Sequence, residues 1–155
     1  MIARSQGVGL EELAHRSFQF FTHLSLSLPL ARRRNPGELK ELEFLTLAIL
    51  RQSHPMIVGD IQRILGVLPA QMSRIIRSLE TRERPLIACR INPHDKRKID
   101  VALTPAGAAA FQEYQTARVR TVTGLLGKLP EDDLEDLNRL LDKVRDLLVS
   151  PRPAR

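Results

Sequence analysis

Apolar side chains recur along most of this chain at steps of three and four, interrupted by one β-prone triplet and, later, by two short β-prone runs around a polar turn. Leu10, Leu13, Ala14, Phe18, Phe21, Leu24 and Leu28 mark one face of a long first helix. Pro29 and the run Arg32-Arg33-Arg34-Asn35-Pro36-Gly37 end it in a loop. Glu38 to Gln52 reads as a second helix, and its stretch Phe44–Leu50, apolar almost all round, predicts a place at the centre of the core. After His54-Pro55 the segment Met56-Ile57-Val58 predicts a small strand. Gly59 to Leu65 predicts a short helix with Ile61, Ile64 and Leu65 inward, and Gly66-Val67 a turn. Pro69 to Thr81 predicts a further helix, with proline at its first position, where the missing N–H costs nothing. Its inward residues are Met72, Ile75, Ile76 and Leu79.

Two strands follow, Leu86–Ile91 and Ile99–Leu103, and between them Asn92-Pro93-His94-Asp95-Lys96-Arg97-Lys98 has the polar, turn-rich make-up of a hairpin tip. Thr104-Pro105 opens the next helix as N-cap and first residue, and the helix runs to about Lys128. Pro130 opens the last helix, with Glu131, Asp132 and Asp133 in its first turn and a wide apolar face from Leu134 to Leu148. Residues 151–155 read as a disordered tail. The expected fold is mainly α with a small β-hairpin: a winged helix-turn-helix over 38–107, and a helical dimerisation region made of 1–37 and 108–150.

Composition narrows the function. Aromatic residues are only 4% and there is no Trp, so Leu, Ile, Val and Ala must fill the core, which suits helices. The net charge is +6 and the sequence pI about 10.2, above the rough threshold of ~9 that marks a nucleic-acid footprint. The charge is unevenly placed. Residues 55–107 hold nine basic and five acidic side chains, whereas residues 129–148 hold three and seven. A positive middle and a negative end suggest one part meeting a polyanion and another facing water or a partner.

The helix Pro69–Thr81 turns Ala70, Gln71, Ser73, Arg74, Arg77 and Ser78 outward. A major groove about 12 Å wide admits such a helix. Gln71 has the donor and acceptor for adenine and Arg74 the fork for guanine, while Ser73 and Arg77 suit phosphates. At the hairpin tip His94, Lys96, Arg97 and Lys98 suit the negative potential of a narrow minor groove. Taken singly, each has a plainer reading, a solvated helix face or a soluble basic loop. Same-sign charge on neighbouring elements favours double-stranded DNA.

Gly59-Asp60-Ile61-Gln62-Arg63-Ile64-Leu65-Gly66-Val67, Ser73-Arg74-Ile75-Ile76-Arg77-Ser78-Leu79-Glu80, Asp95-Lys96-Arg97 and Leu103-Thr104-Pro105-Ala106-Gly107 resemble the MarR (multiple antibiotic resistance regulator) family of bacterial transcription factors. The motifs span Glu38 to Gly107. The resemblance implies a homodimer in which the first and last helices of each subunit interleave, with two recognition helices entering successive major grooves of a pseudo-palindromic site. It also implies that Arg97 reaches the minor groove and that Asp95 orients the basic side chains of the wing. Two positions depart from the family pattern. Leu68 stands where Ser or Thr usually caps the recognition helix, at a cost near ~1 kcal/mol. Glu83-Arg84-Pro85 stands where a glycine usually joins that helix to the wing.

Other chemistry finds no support in the sequence. Cys89 is the single cysteine, so no intrachain disulfide forms, and in a wing strand it reads as a structural thiol suited to a reducing cytoplasm. His15, His23, His54 and His94 are scattered without zinc-site spacing. No phosphate-cradling glycine loop and no nucleophile elbow occur. The apolar stretch from Phe18 is broken by Gln19, Thr22, His23, Ser25 and Ser27, short of the ~18 apolar residues of a membrane span. The expectation is a cytoplasmic, non-enzymatic repressor without metal or cofactor, with a small-molecule effector admitted as a further partner. The alternative is a winged-helix module that holds an acidic protein with the same faces.

Overall fold

The computed structural model describes residues 9–27, 39–53 and 55–149. The loop expected over 29–37, the chain break at His54 and the tail from residue 150 lie outside the described residues. The described elements are six helices and three short strands: α1 (Leu10–Ser27), α2 (Glu41–Gln52), β1 (Met56–Ile57), α3 (Val58–Leu65), α4 (Pro69–Glu80), β2 (Ile87–Ile91), β3 (Ile99–Leu103), α5 (Pro105–Leu126) and α6 (Glu131–Val149). The chain divides into two units, 1–38 and 39–155.

The first unit contributes α1. Glu11 and Glu12 lie in its first turn, where negative charge suits the helix dipole. Ser17 and Thr22 turn their hydroxyls back to the carbonyls of Leu13 and Phe18, so polar residues sit in the helix without breaking it. Leu10, Leu13, Phe18, Phe20, Phe21 and Leu26 are exposed.

The second unit is built around α2. Leu47 and Leu50 are fully buried there with Ile61 of α3, Met72 and Leu79 of α4, Ile87 of β2 and Val101 of β3. Burying each such side chain contributes roughly 1.5–3 kcal/mol, so this cluster fixes the helix pair against the sheet. α2 begins at Glu41 rather than Glu38. Its N-cap Lys40 is extended, and the Glu43 carboxylate accepts the Lys40 N–H at 2.9 Å, which starts the helix there. Phe44 stacks on Phe111 at 4.9 Å and on Tyr114 at 4.3 Å, tying α2 to α5.

The three strands form one antiparallel sheet in the order β1-β3-β2. Val101 lies opposite Met56 on one side and Cys89 on the other, which is why it is fully buried. In the hairpin Ile87 pairs with Leu103 and Ile91 with Ile99. α3 corrects one expectation: Ile64 is 60% exposed. Val58, Ile61 and Leu65, spaced three and four apart, take the inward face, and this turns Ile64 roughly a quarter turn away from it. Gly66 ends α3 with φ 64°, a left-handed conformation suited to glycine, and the Val67 N–H closes on Gln62 O.

Candidate nucleic-acid interface

α4 is a short amphipathic helix between a left-handed glycine and the sheet. Pro69 occupies its first position, and Leu68, the N-cap, makes no side-chain cap bond. Met72, Ile75 and Leu79 are buried, and Ile76 packs half-buried against the core. Ala70, Gln71, Ser73, Arg74 and Arg77 are all exposed on the other face. The structure thus brings five of the sequence-derived residues together on one helix.

The other five lie in the turn between β2 and β3. Asn92 organises that turn. Its Oδ1 accepts the N–H groups of His94 and Asp95, each at 2.9 Å, and its Nδ2 donates to both oxygens of Asp100. Its own N–H meets Lys98 O at 2.9 Å, closing the loop. Asp95 Oδ1 accepts the Arg97 N–H at 3.1 Å, and Oδ2 lies 3.5 Å from Lys98 Nζ. One carboxylate therefore fixes the Arg97 backbone and draws in the neighbouring lysine, while the His94, Lys96 and Arg97 side chains stay exposed. Arg97 and Lys98 also line an open cleft shared with Val58 and Gly59 at the start of α3 and Arg63 in its last turn. Arg63, absent from the sequence-derived set, is an exposed cation held 3.0 Å from Asp60. Its polar position on the first helix of the pair was the available signal.

Ser78 does not belong to the exposed face, contrary to the sequence reading. It is half-buried, and its hydroxyl donates to Glu43 Oε1 at 2.6 Å. Helical periodicity places Ser78 at the edge of the polar face, and a buried acceptor on α2 captures it. Glu43 itself, 1% exposed, also takes Arg82 Nη2 at 2.8 Å. Sequence reasoning missed Glu43 because an acid in the first turn of a helix ordinarily reads as a solvated charge that complements the dipole.

The wing returns to the helices through Thr104. Its Oγ1 accepts the Gly107 N–H at 3.0 Å as the cap of α5 and donates to Pro85 O at 2.7 Å. The Thr104 N–H meets Leu86 O, and the Leu86 N–H meets Leu79 O. These bonds stitch the glycine-free joint between α4 and β2 to the end of β3.

Residues 39–99 match the family model for the MarR family. The match covers the helix pair α3–α4 and β2, and over those residues the chain is similar to the MarR family. Solved structures of similar fold include the apo form of wild-type MarR from E. coli, at 23% identity and TM-score 0.66, covering 90% of this chain and 98% of that one. BpsR of Bordetella bronchiseptica, described for the regulation of its DNA binding by 6-hydroxynicotinic acid, is 25% identical with TM-score 0.55, covering 88% and 98%. A point mutant of S. aureus MepR, bound to an oligodeoxyribonucleotide, is 20% identical with TM-score 0.52, covering 89% and 94%. No curated protein matches the sequence.

Among the described residues no three His, Cys, Asp or Glu side chains come together as metal ligands, and no helix is long and apolar enough to cross a membrane. Cys89 is half-buried, and its thiol is pushed up to about 11, first by burial and then by the Glu80 carboxylate. It stays protonated and unreactive near neutral pH.

Proposed function

We propose that this protein is a MarR-family regulator that binds a pseudo-palindromic operator in double-stranded DNA as a homodimer, acts as a repressor in the cytoplasm, and is released by a small ligand. The observation that carries this reading is the division of α4: an apolar stripe buried in the core, and an opposite face on which Gln71, Ser73, Arg74 and Arg77 are free to meet a groove. In this reading Gln71 and Arg74 contact base edges, with Ala70 giving close approach to the groove floor. Ser73 and Arg77 hold phosphates. Arg97 enters the minor groove, its backbone set by Asp95, while His94, Lys96 and Lys98 line the backbone beside it.

The dimer reading rests on apolar surface. Leu140, Leu141, Val144, Leu147 and Leu148 of α6 are each more than half exposed in the single chain, and Phe18, Phe20 and Phe21 of α1 are exposed as well. An exposed apolar stripe such as that of α6 marks an interaction surface, and the phenylalanines of α1 offer a second one on the other unit. Residues 1–37 and 108–150 accordingly form the dimerisation region, and 38–107 the DNA-binding region. Ligand release follows by likeness to BpsR, whose DNA binding is described as regulated by 6-hydroxynicotinic acid.

Affinity for a random duplex and for a selected one, measured by fluorescence anisotropy across a salt series, tests the proposal. A DNA regulator loses affinity steeply with salt, because phosphate contacts release counterions. Arg97→Ala should weaken binding to the selected duplex by about 1–3 kcal/mol. Affinity and salt slope unchanged in Arg97→Ala would remove the wing from the interface. No duplex binding at low salt would leave the acidic-protein module as the surviving account.

A further inference from the structure

Among the described residues Glu43 is the one buried carboxylate. A charge in that position is costly unless directed donors surround it. Three do so, and they come from three places: the Lys40 N–H at the start of α2, the Ser78 hydroxyl in the last turn of α4, and the Arg82 guanidinium just past the end of α4. Apolar packing holds α4 on the core but is non-directional, whereas hydrogen bonds to a charged acceptor fix distance and angle.

The segment after α4 is where such fixing is needed. Glu83-Arg84-Pro85 contains no glycine, and no residue there adopts a positive φ. The chain therefore turns from helix to wing through ordinary backbone conformations, and side-chain bonds must hold its direction. Thr104 secures the far end of the joint through Pro85 O. Glu43 secures the near end through Arg82 and, on its other oxygen, the helix itself through Ser78.

We propose that Glu43 is a positioning residue for DNA reading: its two carboxylate oxygens set the angle between the exposed face of α4 and the wing, so that both meet the duplex in one register. The proposal rests on the DNA-regulator reading above. It adds Glu43, Ser78 and Arg82, none of which touches the duplex, to the determinants of sequence preference. Their loss lowers discrimination between sequences more than it lowers non-specific attraction, which depends on the surface cations alone.

The test compares wild type, Ser78→Ala and Glu43→Gln for affinity to two duplexes at one salt concentration: the sequence that wild type enriches from a random pool, and a scrambled duplex of equal length. Thermal melting is followed in parallel. Ser78→Ala is the decisive variant, because alanine is the best helix former and the Glu43–Arg82 pair remains. The expected result is a melting temperature within a few degrees of wild type, with the affinity ratio between duplexes reduced roughly tenfold, the worth of one mis-set base contact. Glu43→Gln should reduce the ratio at least as far. A lowered melting temperature with an unchanged ratio in Ser78→Ala overturns the proposal and leaves the network a structural role. If wild type enriches no sequence, the DNA-regulator reading fails and takes the proposal with it, an outcome distinct from an unchanged ratio.

Discussion

An added Cβ at Gly107 would sit 2.0 Å from the Leu86 carbonyl oxygen and 2.8 Å from a Leu103 methyl. The same residue gives its N–H to the Thr104 cap, so the first turn of α5 lies directly against the Leu86 backbone. Gly107→Ala should therefore destabilise the protein by about 3 kcal/mol, the upper end of overpacking costs. Gly124→Ala in the same helix is the control, since nothing lies within 4 Å of its Cβ position and alanine is favoured in helices by about 1 kcal/mol. Urea midpoints of the two variants separate the cases, and equal shifts would contradict the close approach at Gly107. The Thr104 cap and Pro69 at the start of α4 were legible in the sequence because each signal acts within three or four residues. The Glu43–Ser78 bond was not, because its partners lie 35 positions apart and nothing local distinguishes a captured serine from a solvated one.

Elements divide in the same way. The hairpin β2–β3 and the amphipathic α4 could be read from pattern, because a period of 3.6 and a polar turn are local properties. The β1 pairing was not readable: two residues carry too little pattern to name a partner, and Met56 finds Val101 only once the core assembles. α6 shows what an element reveals when its own chain leaves it uncovered. Its polar side carries ion pairs one turn apart, Asp136–Arg139 at 2.7 Å and Asp142–Arg145 at 3.1 Å. Exposed pairs of this kind contribute only a few tenths of a kcal/mol, so they do not account for the helix. The exposed apolar face does so if a partner copy covers it, at roughly 1.5–3 kcal/mol per fully buried side chain. The double variant Leu141→Glu, Val144→Glu should sediment as a monomer at concentrations where wild type is a dimer, with its helical circular dichroism signal largely retained. A persistent dimer would place the subunit interface elsewhere.

At the scale of the molecule, the charge pattern and the two sets of site residues converge on one arrangement. The basic segment 55–107 carries α4 and the wing, and the acidic end carries α6. In the proposed dimer two copies of Gln71, Arg74 and Arg97, related by a two-fold axis, would face one duplex. Symmetry in the protein requires symmetry in the site it selects. Selection of bound sequences from a random duplex pool reads this out directly. The account predicts enrichment of an inverted repeat whose half-sites are centred about one helical turn, ~34–36 Å, apart, with an AT-rich flank where Arg97 enters the minor groove. Enrichment of a single asymmetric half-site, or of no sequence at all, would contradict it.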